Sequence, residues 1–144
     1  MANHFVYTPE IGDEILRRFA SGETIKRICD DAHMPHRGRV YEWIGADDER
    51  LADFQKRFPA ARAAHALALS DDIVDIADDG SNDWMTVTKG SPGNEYEVEV
   101  INHEHIQRSK LRVDVRLKLM QHHAPNQFGD QLAITGANGG PIEI

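Results

Sequence analysis

The apolar residues of the first 45 positions recur at helical spacing in three short runs. Their inward positions are Ile11, Ile15, Leu16 and Phe19, then Ile25, Ile28, Cys29 and Ala32, then Val40, Trp43 and Ile44. Thr8 before Pro9 and Thr24 before the second run are helix N-cap signals. Pro35 ends the second run, because proline disfavours helix at the residue before it. The pattern predicts a helix-turn-helix whose last helix spans about residues 36–44.

A longer helical pattern follows Gly45-Ala46-Asp47. Its apolar positions recur every three or four residues at Leu51, Phe54, Phe58, Ala61, Leu69, Ile73 and Ile76. Pro59 interrupts this pattern, so either one helix kinks there or a second helix begins with Pro59 near its first turn. The apolar surface is wider than a domain of about 50 residues needs, which favours contact with other subunits.

After the long helical pattern, apolar residues alternate with polar ones. WMTVT and EYEVEVI flank the turn KGSPGN and predict a β-hairpin with one wet face. A second long helix is expected from about residue 102 to 123, with Ile106, Val113, Leu117 and Met120 on one stripe. Two long helices joined by a hairpin predict an antiparallel helical pair. The tail LAITGANGGPIEI alternates only briefly, so it is either a frayed terminus or one strand of a sheet shared between subunits.

Composition places the chain among ordinary globular proteins. Its 144 residues are 40% hydrophobic and 28% charged, and no run approaches the ~20 apolar residues of a membrane span. The N-terminus has no secretory pattern, so we expect a cytosolic protein, and Cys29 is interpreted as a small apolar filler rather than a reactive thiol. The net charge of −8 argues against a protein that coats nucleic acid over its whole surface, although it allows a local basic patch.

Polar residues at the start of the third helix fit such a patch. In a helix-turn-helix, the second helix of the pair places its N-terminal residues against base edges, while the preceding helix contacts phosphates. The predicted DNA-binding residues are Lys26, Arg27, His36, Arg37, Arg39 and Tyr41. Gly38 weakens this helix, and the alternative is a three-helix scaffold with ordinary solvated charges.

Metal binding and catalysis have little support in the sequence. His103 and His105 point to different faces of a helix, and neither cysteine ligands nor an HExxH spacing accompany the eight histidines. Asp71, Asp72 and Asp75 have ligand chemistry for Mg²⁺, but exposed acidic helix faces are common. No phosphate loop or nucleophile turn is present. We therefore expect no metal, no cofactor and no enzymatic activity.

These segments, taken in order, resemble the small terminase subunit of tailed bacteriophages, of the type with an N-terminal helix-turn-helix. The segments that carry the resemblance are YTPEIGDEI, ETIKRICDDAHMP, VYEWI, DDIVDIADDG, NHEHIQRSKLRVDVRLKLM, FGDQL and GGPIEI. The resemblance implies a ring of roughly eight to eleven copies that recognises the packaging site in double-stranded viral DNA. It also implies regulation of the large terminase subunit, an ATPase and nuclease, during phage assembly in the host cytoplasm.

The implied fold is mainly α, in three regions. Residues 1–57 form a helix-turn-helix DNA-binding domain, residues 58–124 an antiparallel helical oligomerisation core with a β-hairpin at about 84–101, and residues 125–144 a crown whose strands build an intersubunit β-barrel. The predicted oligomerisation residues are Phe54, Phe58, Leu69, Ile73, Ile76, Ile106, Val113, Leu117, Met120, Ile134 and Ile142. Two alternatives remain: a helix-turn-helix transcriptional regulator acting as a dimer, which mass in solution separates, and an assembly protein that never touches DNA.

Overall fold

The computed structural model of the chain describes residues 5–129 and 136–142. The fold is mainly helical with a two-stranded antiparallel sheet, as the sequence predicts. Its α-helices are α1 (Pro9–Ala20), α2 (Ile25–Cys29), α3 (Arg37–Gly45), α4 (Ala52–Asp78), α5 (His103–His123) and α6 (Pro125–Phe128). Its strands are β1 (Trp84–Lys89) and β2 (Tyr96–Ile101). A 3-10 turn, Glu49–Leu51, leads into α4.

Side-chain caps start the first two helices where the sequence places them. The Thr8 hydroxyl accepts the Ile11 N–H at 3.3 Å, and the Thr24 hydroxyl accepts the Arg27 N–H at 3.2 Å. The helices then close around one apolar core. Its buried members are Ile15, Leu16, Phe19, Ile25, Ile28, Met34, Val40, Trp43, Leu51, Phe54 and Ala61. The core therefore joins the helix-turn-helix to the first half of α4.

An ion cluster fixes α1 against the segment on both sides of α2. The Arg18 guanidinium donates to Glu23 at 2.7 and 2.8 Å and to Asp31 at 2.5 Å, and lies 3.6 Å from Glu14. The bidentate bond from Arg18 is the first cause of the lowered pKa of Glu23. His33 bonds Glu14 at 2.9 Å on the same side of the molecule. These contacts orient α2 before α3 begins.

One continuous helix passes through Pro59. α4 spans Ala52–Asp78, so the alternative in which a new helix begins at Pro59 is wrong. Proline has no N–H to offer the Gln55 carbonyl, and one helical hydrogen bond is lost there. The Gln55 side chain makes separate hydrogen bonds: it donates to the Trp43 carbonyl at 2.9 Å and to the Ala46 carbonyl at 2.6 Å, which ties the end of α3 to α4. The predicted boundary between residues 57 and 58 falls inside this helix.

α4 and α5 pack antiparallel around a second, smaller core. Ala66, Leu69, Met120 and Ala124 are its buried members. At the end nearest α1, Arg62 donates to the His123 ring at 3.2 Å and to the His122 carbonyl at 3.2 Å. The antiparallel helical pair predicted from the sequence is thus held by contacts within a single chain.

The hairpin pairs β1 with β2 in a register that separates two faces. Met85 lies opposite Val100, and Val87 opposite Val98, so one face is apolar. The other face is polar at Thr86, which lies opposite Glu99, as the alternation predicts, but it ends in the exposed apolar pair Trp84 and Ile101.

The C-terminal segment is described only in part. α5 ends at His123, α6 follows at once with Pro125 in its first turn, and Ala137–Gly139 forms a short 3-10 turn. Ile142 is exposed, whereas Ile134 lies outside the described residues. The intersubunit β-barrel remains a prediction.

Candidate DNA-binding surface

The start of α3 is built around a histidine cap. His36 is the N-cap residue, and its Nδ1 accepts the Gly38 N–H at 3.1 Å. A Cβ on Gly38 would lie 3.3 Å from that nitrogen, closer than an ordinary contact. Gly38 therefore fits the first turn of α3, where the cap needs space, and the helix continues beyond it. The cap leaves Arg37 as the first helical residue, exposed to solvent.

Three of the predicted DNA-binding residues meet in one groove between α2 and α3. Lys26, His36 and Arg37 line a groove of about 180 Å³ together with Cys29 and Asp30. Lys26 lies 3.8 Å from Asp30, and both side chains are about two-thirds exposed, so this pair contributes little and the ammonium is free to move. Burial raises the pKa of the Cys29 thiol, which keeps this residue uncharged in the groove wall.

Arg37 has no ion-pair partner within the described parts of the chain. Tyr41 follows one turn later on the same face of α3 and is 53% exposed. The two side chains give the exposed face of α3 one unpaired guanidinium and one phenol. Both chemistries are used against phosphates, and arginine also reads guanine.

Arg39 and Arg27 lie away from this groove. Arg39 bonds Glu42 at 3.0 Å and lines a different depression of about 270 Å³ with Tyr7 and Trp43. Arg27 faces the helical pair across a cavity of about 510 Å³, which Lys26 also borders. The predicted set of six therefore divides between three surfaces.

The cavity beside α2 contains a basic residue that sequence reasoning did not assign to any site. Arg116 of α5 lines it, and its Nε lies 3.6 Å from Asp72 and has no hydrogen-bond partner among the residues that the structure describes. The sequence shows Arg116 only as one of several basic residues in its stretch. Its position opposite α2 depends on the packing of α5 against α4, which no local pattern reveals.

The predicted oligomerisation residues mostly lie between elements of one chain. Phe54, Leu69 and Met120 are buried, with Phe58 and Ile73 packed against the cores. Ile76, Ile106 and Val113 line a groove of about 240 Å³ between α4 and α5. Leu117 and Ile142 are exposed, at 44% and 56%. Their role between subunits stays a prediction.

Other chemistry is limited in the residues that the structure describes. Within residues 5–129 and 136–142, no group of three or more His, Cys, Asp or Glu side chains is placed to hold a metal ion. None of the helices described is both long and apolar enough to cross a membrane.

Known proteins resemble this chain over almost its full length. Crystal structures of the terminase small subunit gp1 of the bacterial virus Sf6, carrying single substitutions, match with a TM-score of 0.64 and 26% identity over 96% of this chain and 91% of theirs. A third such structure matches with a TM-score of 0.63 and covers 96% of both chains. No curated protein sequence matches.

The model of one protein family spans residues 7–135, from the residue before the first helix cap to the C-terminal segment. This match includes the capped α3 with its basic groove and the paired α4 and α5. The chain belongs to the family of terminase small subunits like that of bacteriophage Sf6 and has a role in viral DNA packaging.

Proposed function

We propose that this chain recognises the packaging site in double-stranded viral DNA through the α2–α3 groove. The observation that carries the proposal is the exposed, unpaired guanidinium of Arg37 at the capped start of α3, beside Lys26 and His36. A helix-turn-helix presents this end of its second helix to the major groove. Lys26 is positioned on the preceding helix, from which phosphate contacts are made.

In this proposed function the chain forms a ring of roughly eight to eleven copies, with DNA-binding domains outside and helical pairs within. One small domain binds DNA weakly, but several on one ring bind together because linkage raises the effective concentration. The chemistry of packaging then belongs to the large terminase subunit in the host cytoplasm. The small subunit regulates that ATPase and nuclease and is not itself an enzyme.

The structure offers a matched pair of arginines for the test. Arg37→Ala removes the unpaired guanidinium, whereas Arg39→Ala removes one that is bonded to Glu42 on the other side of the same helix. Binding to packaging-region DNA is measured at several salt concentrations. We expect Arg37→Ala to weaken binding at least about tenfold and to reduce the slope of log K against log salt by about one per lost phosphate contact.

Arg39→Ala is expected to leave both the affinity and the salt slope close to those of the unsubstituted protein. Equal losses in the two variants, with unchanged circular dichroism, would contradict the assignment of the groove. The native mass of the assembly tests the ring independently, because a dimer would support the transcriptional-regulator alternative.

A further inference from the structure

The outward face of α4 carries a stripe of alternating apolar and acidic residues. Leu67, Asp71, Val74 and Asp78 are spaced by four, three and four positions, so they lie on one side of the helix. All four are exposed, Leu67 at 59% and Val74 at 56%. The opposite side of α4 carries Leu69, which is buried against α5. We call these four outward residues the α4 stripe.

α5 carries the corresponding stripe with the opposite charge. Arg108, Leu111, Val115 and Lys118 share one side of the helix and are all exposed, Leu111 at 59% and Val115 at 46%. Met120, on the side that faces α4, is buried. We call these four outward residues the α5 stripe. Each stripe lies on the side of its helix that is turned away from the buried contact between α4 and α5, and Val115 also borders the cavity beside α2.

We propose that the α4 stripe of one subunit docks against the α5 stripe of a neighbouring copy, which makes a head-to-tail interface. Each stripe contributes two apolar and two charged side chains, and the charges are complementary. Contact between two α4 stripes would oppose carboxylates, and contact between two α5 stripes would oppose cations. A two-fold dimer through either stripe is therefore disfavoured, whereas a head-to-tail contact continues from copy to copy until a ring closes.

Two further observations support this pairing. Asp71, Asp78 and Lys118 have no ion-pair partner within the described residues, so their charges are available to another copy. Arg108 bonds Glu104 at 2.8 Å, but both side chains are at least 65% exposed, so this pair is weak and exchangeable. The inference rests on the proposed ring and names the surfaces that build it.

The intrachain register predicts which residues meet. Within one chain the Arg116 Nε lies 3.6 Å from Asp72, and Met120 shares a buried cluster with Leu69, so these two pairs give the approximate register of the antiparallel helices. In the proposed ring, α4 and α5 run parallel to the ring axis. Rotation about that axis leaves the position of every residue along the axis unchanged. Val74 of one copy is then level with Val115 of the next to within one residue, or about 1.5 Å. By the same geometry, Asp71 of one copy is level with Lys118 of the next, again to within one residue.

Disulfide trapping tests this register. In a Cys29→Ala background, Val74→Cys and Val115→Cys are combined in one chain and oxidised. We expect a ladder of covalently linked subunits that extends to the full ring. Val74→Cys combined with Leu111→Cys is the matched control, since Leu111 lies about 6 Å further along the helix, and should cross-link at least about tenfold more slowly.

Charge reversal tests the complementarity. Asp71→Lys with Asp78→Lys makes both stripes basic, and Arg108→Glu with Lys118→Glu makes both acidic. Each variant alone should need at least about tenfold more protein to assemble. A mixture of the two variants should assemble, because a basic stripe can then meet an acidic one. The two kinds of subunit should alternate around the ring, so the ring should contain equal numbers of each and an even number of subunits. The double reversal Asp47→Lys with Glu49→Lys, outside the stripes, should assemble like the unsubstituted protein.

The possible results separate the two proposals. A ring that forms no Val74–Val115 cross-link and tolerates both reversals would overturn the stripe assignment and leave the proposed ring intact. Cross-linking through Val74→Cys alone would also overturn it, because it would show two α4 stripes in contact. An unsubstituted protein that stays monomeric at every concentration would overturn the ring itself.

Discussion

Lowering the pH should destabilise the junction between α1, α4 and α5 through one histidine pair. The buried His65 ring stacks on Phe19 at 4.1 Å, donates Nδ1–H to the Phe19 carbonyl at 2.7 Å and meets the His123 ring at 5.1 Å. Burial, followed by the charges of His65, Arg62 and His122, lowers the pKa of His123 to about 4. Burial also lowers the pKa of His65. Both rings are therefore neutral in the folded chain at pH 7.

The sign and size of the effect follow from linkage. An unfolded histidine has a pKa near 6.5, so the unfolded chain binds the proton first. The packing of the neutral His123 ring therefore contributes fully to stability above pH 6.5, and this contribution is lost as the pH falls towards about 4. With a folded-state pKa of about 4 for His123, the free energy of unfolding at pH 5 is lower than at neutral pH by about 2 kcal/mol. Because His123 is partly exposed, we expect about 1–2 kcal/mol.

Urea unfolding at pH 7 and pH 5, at one fixed protein concentration, measures this loss. His123→Asn removes the titration but keeps an acceptor for Arg62, because the asparagine Oδ1 occupies the place of Nδ1. The variant should lose about 1–2 kcal/mol less than the unsubstituted protein between the two pH values. His103→Asn, at the exposed start of α5, is the control and should behave like the unsubstituted protein. The same pH dependence in all three proteins would refute the reasoning.

Two further substitutions test the packing and the hairpin. Phe54 is fully buried, and its ring centroid lies 5.8 Å from that of Tyr7 and 6.2 Å from that of Phe58. Phe54→Ala should lower the free energy of unfolding in urea by about 3–5 kcal/mol, and Phe54→Leu by clearly less. Equal losses in the two variants would contradict the cavity argument. Gly90 has φ +107°, and a Cβ there would lie 2.2 Å from the Asn94 carbonyl oxygen, so Gly90→Ala should speed amide exchange in the hairpin. Gly93→Ala should speed it less, because φ is +87° there but no atom of the described residues lies within 4 Å of the added Cβ.

Local chemistry determines much of this fold, and the sequence therefore predicts it. Thr8 and Thr24 cap their helices because a hydroxyl beside a free N–H acts within three residues, whatever the rest of the chain does. The alternation around KGSPGN sets the register of Met85 opposite Val100 in the same local way. Pro59 is different, since its own chemistry disfavours the helix interior, and packing of both halves of α4 outweighs that cost.

The candidate DNA-binding surface is predictable only in part. Lys26, His36 and Arg37 are near one another in sequence and come together through the short turn between α2 and α3. Arg39 is only two residues from Arg37, but the helical turn places it on another side, where Glu42 holds it. A set of residues chosen by sequence proximity therefore includes members that the helix separates.

The helices and the hairpin can be predicted from the sequence because caps, turn residues and apolar periodicity act over a few positions. Which apolar residues become buried within one chain depends instead on how the helices pack. Leu69 and Met120, predicted for subunit contact, are buried against each other's helices, whereas Leu67 and Leu111 remain exposed. Helical periodicity reveals an apolar face but not the surface that covers it, because that surface is set by contacts between residues far apart in sequence.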